Sequence, residues 1–368
     1  MGHSTAINKS DNKVRVLIID DSALVRQLLT DILSSDKDIE VIGTAPDPIN
    51  AREKIKQLSP DVLTLDIEMP KMDGLTFLSN LMRLRPMPVV MVSSLTEKGA
   101  EVTLQALEQG AIDYVSKPKE DLSATLGSYS KELITKVKVA ANANVHAREY
   151  GRSSFEVTEK HNASAVIEKK SGKPFKTTDK IIAIGASTGG TEAIKEVLIR
   201  MPADSPGIVI AQHIPEAFSG SFAKRMDASS ALTVKEAREG EQIIPGHAYI
   251  APGNQHLLVK RNGAQYVCHL SDGPAVNRHR PSVDVLFRSV AQNAGKNAIG
   301  VILTGMGDDG ARGMREMHDC GSPTVAQDEK TSVVWGMPGE AVNQGGVDHI
   351  LGLNNIPAKI LNLLRKLD

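Results

Sequence analysis

Apolar runs that alternate with amphipathic segments constrain this chain more than any other feature. From Val14 onward, VRVLIID, IEVIGTA, DVLTLDI, PVVMVSS and DYVSKP read as strands, with helix-period segments between the earlier ones. That order predicts βαβ units, and hence a parallel sheet with helices on both faces. In SALVRQLLTDILSSD, residues Leu24, Val25, Leu28, Leu29, Ile32 and Leu33 recur at helical spacing and form a core-facing stripe. A further helix is expected from about Tyr129 to Asn142. Between Asn144 and Thr178 the alternation stops; Ser, Thr, Lys and Glu dominate, and the stretch reads as a mildly basic linker. Strand-like runs return at Ile181 with IIAIGA, GIVIAQH and NAIGVILTG. The expected organisation is a disordered tail over 1–12, a doubly wound α/β domain over 13–143, a linker over 144–178 and a second α/β domain over 179–368. Within the second, Asn262-Gly263 between alternating runs signals an antiparallel hairpin.

Composition removes several functional classes. At 368 residues and 41% hydrophobic content the chain can bury two cores. A formal net charge of −1 gives no general attraction to nucleic acid or to an anionic membrane, so neither is an expected partner. Cys268 and Cys320 are far apart and form no C-x-x-C, which fits a reducing cytoplasm better than a disulfide framework or zinc site. No run approaches the ~20 apolar residues of a membrane span, and the polar start of the chain lacks the apolar core of a secretory signal. A soluble cytoplasmic protein is expected.

In a doubly wound sheet, ligands bind beyond the carboxyl ends of the strands. In the first domain those ends carry Asp20 and Asp21, then Asp66, Ser93 and Lys117. Three carboxylates at one place repel one another unless a hard cation shares them, and Mg²⁺, which prefers oxygen ligands, suits the set. A lysine and a hydroxyl can hold the oxygens of a transferred phosphoryl group. A lone Asp would more often be a helix cap; four matched positions on one edge favour a site.

IIAIGASTGG, residues Ile181–Gly190, admits two readings. One is a degraded dinucleotide fingerprint, the other G-x-S-x-G, a strand-to-helix turn presenting Ser187 as a nucleophile. The next strand ends in Gln212-His213 rather than in the acid a ribose would need, and adjacent parallel strands bring His213 beside Ser187. MGDDGARGM follows NAIGVILTG and offers Asp308 or Asp309 as the group that orients the imidazole; spacing alone does not choose between them. Ser187 as a helix cap, His213 as a core-edge histidine and the two acids as caps are the plainer readings of each taken singly, and their convergence outweighs them. A helix after Ser187 would aim its amides at developing oxyanion charge.

Two resemblances extend this reading. The acids, with DIEMPKMDGLTFL after Asp66 and Tyr114 before Lys117, resemble the response-regulator receiver family, with its flavodoxin-like (βα)5 fold. The resemblance implies that Asp66 accepts a phosphoryl group from a histidine kinase, and that Asp20, Asp21, Asp66 and the backbone carbonyl of Glu68 hold Mg²⁺. It also implies that Ser93 and Tyr114 act as switch residues beside Lys117. GASTGG, AQHIPEAFSGSFAKRM, YIAPGNQHL, DGPAVNRHRPSVDVLF, LTGMGDDGARGM and AQDEKTSVVWGMPGEAV resemble the catalytic domain of the CheB family of chemotaxis methylesterases. That likeness implies Ser187 as nucleophile, His213 as base and Asp309 as orienting acid, with Thr188 and Met306 at the oxyanion hole and no cofactor for ester hydrolysis. It implies demethylation of glutamyl methyl esters, deamidation of glutamines on methyl-accepting chemoreceptors, and activation by receiver phosphorylation. It also favours a place near the cleft for the charged loop Arg278, His279 and Arg280. The competing readings are a phosphorylation-switched binding module with an inactive hydrolase-like domain and a nucleotide-binding enzyme.

Overall fold

The computed structural model describes residues 13–69, 72–93, 96–117, 126–143 and 179–367. The tail over 1–12 and the linker over 144–178 lie outside the described residues. The chain divides into two units, each with its own parallel sheet.

In the first sheet, β1 (Val14–Ile19), β2 (Ile39–Ala45), β3 (Val62–Asp66), β4 (Val89–Ser93) and β5 (Asp113–Ser116) lie in the order β2-β1-β3-β4-β5, all parallel. This is the flavodoxin-like order, and its switch point falls between β1 and β3. The connecting helices are α1 (Ala23–Ser34), α2 (Pro48–Leu58), α3 (Gly74–Leu84) and α4 (Glu97–Glu108), and α5 (Leu126–Ala141) follows β5. Strands β3 and β4 are buried on both faces, as parallel strands covered by helices must be. The α1 stripe is only partly a core face: Leu29, Ile32 and Leu33 are buried, whereas Leu24 is 79% exposed. Ser22 caps this helix by accepting from the Val25 amide, which leaves Leu24 in the first turn.

The second unit has seven parallel strands in the order β14-β13-β12-β6-β7-β9-β8. They are β6 (Ile181–Ala186), β7 (Gly207–Gln212), β8 (Thr233–Glu236), β9 (His247–Ile250), β12 (Ala298–Ile302), β13 (Thr324–Gln327) and β14 (His349–Leu351). A separate antiparallel hairpin, β10 (His256–Asn262) and β11 (Gln265–Ser271), confirms the expected turn with a register change. Asn262 pairs with Gln265, so Gly263 and Ala264 form the two-residue loop, with Gly263 left-handed at φ 62°. Helices α6 (Gly190–Leu198), α7 (Glu216–Ser229), α8 (Val283–Asn293), α9 (Ala311–Asp319), α10 (Met337–Asn343) and α11 (Ile356–Lys366) complete the unit.

The chain leaves β6 toward β7 on one side and returns at β12 on the other, so the switch point lies between β6 and β12. Helix α8 covers one face there. Val283, Leu286, Phe287 and Val290 join Ile181 and Ala183 of β6, Leu257 and Val259 of β10, and Met314 and Met317 of α9 in one core. Side chains alternate along a strand, which sends the equally buried Ile182 and Ile184 to the opposite face. The approach of α8 to β6 depends on Gly185: a Cβ there would lie 2.2 Å from Val283 Cγ1 and 3.0 Å from Phe287 Cζ.

Overpacking of this kind costs about 1–3 kcal/mol. Gly185→Ala should therefore lower the stability of this unit by that amount, read from urea unfolding; unchanged unfolding would show that α8 can move off β6 freely.

Candidate active site and phosphoryl-acceptor site

Strand pairing builds the first constellation. Ala186 is paired with Gln212 at the carboxyl end of β6 and β7, so the following residues, Ser187 and His213, lie side by side. The His213 amide donates to the Ala186 carbonyl at 3.2 Å, and the Ser187 amide donates to the Thr304 carbonyl at 3.0 Å, tying the turn to both neighbouring strands. Gln212 adds a clamp: its Nε2 donates to the carbonyls of Ser187 at 2.9 Å and of His213 at 3.1 Å. His213 Nδ1 lies 3.0 Å from Ser187 Oγ, and Nε2 lies 2.8 Å from Asp309 Oδ2. With the Nε2 proton directed to the carboxylate, Nδ1 is free to accept from the hydroxyl. His279 stacks on the His213 ring with centroids 3.6 Å apart and planes 10° from parallel.

Of the two acids that spacing left open, Asp309 meets the imidazole; the Asp308 carbonyl accepts from the Ala311 amide at the start of α9. Asp309 is 1% exposed, and a buried carboxylate needs donors. Oδ1 accepts from Asn277 Nδ2 at 2.7 Å, Ser282 Oγ at 2.8 Å and the Asp284 amide at 3.2 Å. Oδ2 accepts from the Val283 amide at 2.7 Å besides His213. Asp309 thus occupies the N-terminus of α8, where orphan amides and the positive end of the helix dipole favour a negative charge. Burial alone would raise its carboxyl, but the hydrogen bond and charge of His213, with His279 and Asn277, hold it well below the usual carboxylate range.

A second carboxylate, which sequence reasoning missed, lies in the same core. Asp284 is 2% exposed; Oδ1 accepts from the Gly313 amide at 2.8 Å and Oδ2 from Asn277 Nδ2 at 2.7 Å. Burial, and then the Asp309 charge, raise its carboxyl above the usual range. Arg280 spends its guanidinium on Asn254 Oδ1 and on the carbonyls of Asp272 and Gly273, holding loops together.

The groups expected around an oxyanion lie on the flanking turns. Thr188 is buried, its carbonyl accepting from Thr304 Oγ1 at 3.0 Å just before α6. The N-cap of α6, Gly189, has φ 75° and offers no side-chain cap to the helix amides. The Met306 amide has no acceptor among the described residues, and its residue is half-buried at the end of the β12 loop. The arrangement has a hydroxyl, an acceptor imidazole, an ionised acid and the Met306 amide, which together suit acyl transfer.

In the first unit, Asp20 and Asp66 follow or end the two strands at the switch point and are fully buried, while Asp21 is exposed. Carboxylate oxygens of the three lie within 4.8 Å of one another. Lys117 Nζ is 2.8 Å from Asp66 Oδ2 and 3.8 Å from Asp20 Oδ2. The Ser22 amide donates to Asp20 Oδ1 and the Glu68 amide to Asp66 Oδ1. Asp20 Oδ2 is buried with no hydrogen-bond donor among the described residues. That orphaned oxygen within an all-oxygen cluster fits a hard divalent cation. Burial, reinforced by the Asp20 charge, pushes the Asp66 carboxyl up to about 6 against the pull of Lys117. Burial likewise raises Asp20. Gly74 lets α3 start against the acceptor strand: a Cβ would lie 2.1 Å from the Asp66 carbonyl oxygen. Ser93 is 1% exposed at the end of β4, and the Lys117 amide donates to its carbonyl at 2.6 Å. Tyr114 is buried in β5 with Lys136 Nζ 4.9 Å from its ring centre.

A receiver fold with an acidic cluster at its switch point, joined in one chain to an α/β domain holding a Ser-His-Asp constellation, defines a receiver-bearing hydrolase. The profile of the CheB methylesterase family matches residues 182–360 and that of the response regulator receiver domain residues 16–126. A protein-glutamate methylesterase/protein-glutamine glutaminase of Geobacter metallireducens is 59% identical over 96% of this chain and 97% of its own. One of Hydrogenovibrio crunogenus is 56% identical over 96% of this chain and all of its own. The catalytic domain of Thermotoga maritima CheB methylesterase superposes over 51% of this chain and all of its own, with a TM-score of 0.50 and 39% identity. The chain belongs to the CheB methylesterase family.

Filling a site that binds only the folded state raises stability by mass action. Millimolar Mg²⁺ should raise the thermal unfolding midpoint measured by calorimetry, and Asp20→Asn should remove most of that shift; equal shifts in both would place the ion elsewhere.

Proposed function

We propose that this chain is a phosphorylation-activated esterase that removes methyl groups from γ-glutamyl esters on methyl-accepting chemoreceptors, and also deamidates receptor glutamines. The hydrogen-bonded series Ser187, His213, Asp309 at the sheet's switch point carries this reading. The activities printed in the names of relatives that match it over nearly their whole length supply the substrate class.

Chemistry follows from the geometry. His213 Nδ1 takes the Ser187 proton while Nε2 remains bonded to Asp309, and the serine oxygen attacks the ester carbonyl. Negative charge moves to the carbonyl oxygen, toward the amides of Met306 and of Thr188 just before α6. The tetrahedral intermediate collapses as the imidazolium returns its proton to the departing oxygen, and methanol leaves a γ-glutamyl ester on Ser187. Water repeats the attack with His213 as base, which restores the serine and leaves a glutamate side chain on the receptor. With a glutamine substrate the leaving group is ammonia and the second half is the same.

In the receiver, Asp66 is the proposed acceptor of a phosphoryl group from a histidine kinase. Asp20, Asp21, Asp66 and the Glu68 carbonyl would hold Mg²⁺, which supplies charge neutralisation for the incoming phosphoryl oxygens when bound. Lys117 pairs with the same charge, and Ser93 at the end of β4 and Tyr114 within β5 respond to it. Phosphorylation then raises esterase activity through the differential stability of two receiver states. The setting is the cytoplasm, in chemotactic adaptation; among the described residues no helix is long and apolar enough to cross a membrane.

Methanol release from methylated receptor should fall by about 10³-fold or more in Ser187→Ala, the scale expected when a triad nucleophile is lost; release within a few-fold of the parent would remove the triad. A phosphodonor should raise release by the parent enzyme and leave Asp66→Asn at its basal rate. Equal activation of the two would place the switch elsewhere.

A further inference from the structure

The turn between the hairpin and α8 places one amide side chain against both buried acids of the catalytic domain. Val276 and His279 pair across it, the Val276 amide donating to the His279 carbonyl at 3.0 Å and the His279 amide to the Val276 carbonyl at 2.8 Å. Its two central residues, Asn277 at φ 51° and Arg278 at φ 71°, are both left-handed, as a type I′ turn requires. Asparagine tolerates that region, whereas arginine there is strained, so the surrounding structure imposes the conformation. What the strain secures is the aim of Asn277. The residue is 6% exposed, and its side chain has two N–H donors on one nitrogen; these reach Asp309 Oδ1 and Asp284 Oδ2, each at 2.7 Å.

Each carboxylate also caps the helix that begins beside the other. Asp309, just ahead of α9, accepts from the first amides of α8; Asp284, in the first turn of α8, accepts from Gly313 in the first turn of α9. Two buried acids at close quarters repel, and an amide donating to both is the group that lets them share the site. Since Asn277, Ser282 and the Asp284 amide hold Oδ1, rotation of the carboxylate away from the imidazole would break three hydrogen bonds. Oδ2 is thereby kept facing His213 Nε2, which fixes the tautomer with its acceptor nitrogen toward Ser187.

From these contacts we propose that Asn277 is a positioning residue for ester hydrolysis, locking the Asp309 carboxylate through a bridge to Asp284. The proposal rests on the Ser-His-Asp reading and goes beyond it. Asn277 touches no reacting atom, so its loss acts on turnover and on the reactivity of Ser187, not on receptor docking.

Two variants test this in the full-length protein. Asn277→Gly keeps the left-handed backbone and removes the amide; Asn277→Asp keeps the shape and turns the donor into an acceptor. Both should lower kcat for methanol release, per folded molecule, by on the order of 10- to 100-fold, the range expected when a reacting group loses its alignment. KM should stay within about two-fold, and labelling of Ser187 by a fluorophosphonate should slow in step with kcat. A folded variant of either kind with parental kcat and labelling rate overturns the proposal, as does a loss that only follows the unfolded fraction. Ser187→Ala measured beside them separates the two readings. If it stays active, the triad itself fails; if it is dead while the Asn277 variants match the parent, only the positioning role fails.

Discussion

An ionised carboxylate sealed from water is the constraint around which the catalytic domain is arranged. Taking a bare carboxylate out of water costs many kcal/mol, and a protein that keeps one ionised must surround it with donors. Asp309 has five among the described residues, two of them amides at the start of α8. That requirement reaches outward. Helix α8 must begin at the carboxyl edge of the sheet, so its first turn has to lie over β6, and β6 must offer a residue without a side chain there. The hairpin β10–β11 lies in the same core as α8, and the turn at Asn277 closes over the acid. Against the burial that would raise it, the hydrogen bond and charge of His213, with His279 and Asn277, hold the Asp309 carboxyl well below the usual range.

The receiver treats its buried acids in the opposite way. Asp20 and Asp66 have few donors, one oxygen of Asp20 has none among the described residues, and both carboxyls are raised by burial. One lysine is the nearest compensating charge. Such a site is frustrated on its own, and its electrostatics favour whatever brings positive charge or removes negative charge. In one domain the donors to Asp309 come from the fold itself. In the other the donors are fewer, and the cluster suits added positive charge. The same residue type is thus held low in one setting and raised in the other, and the imidazoles and amide side chain facing Asp309 make the difference.

Much of the fold was legible because strand runs and helical stripes are local signals. The five receiver strands, the approximate span of α5 and the adjacency of Ser187 to His213 follow from periodicity and from the rule that consecutive parallel strands neighbour one another. The hairpin was found with its turn one residue off: Asn262 pairs in the ladder, and Gly263 takes the left-handed place. Leu24 looked like a core residue because periodicity reports a stripe and not which of its turns reaches solvent. Residues alone left Asp308 and Asp309 equivalent; family resemblance chose between them, and the geometry sets Asp309 against the imidazole. Asn277, Asp284 and Gln212 were missed for one reason. Each matters through contacts with residues distant in sequence or through backbone carbonyls, and neither leaves a periodic or motif signal. The nearest clue was the polar character of Asn277 and Asp284 on either side of an arginine-rich turn.

The strand-turn-helix at Ile181–Gly190 shows why its sequence allowed both a phosphate and a nucleophile reading. In each case small residues bring backbone amides of an incipient helix to a place where negative charge will sit. A bound pyrophosphate carries that charge permanently, so a site for it would require those amides to face a waiting ligand. An oxyanion exists only during turnover, so the amides must be held in place while nothing negative is there. Gln212 accomplishes part of this by clamping the carbonyls of Ser187 and His213, and the Ser187 amide is already committed to Thr304. The Met306 amide has no acceptor among the described residues, and the start of α6 has no side-chain cap. The residue that separates the two readings is therefore His213 at the end of β7, since an imidazole beside the serine is of use only if the charge is to be created there.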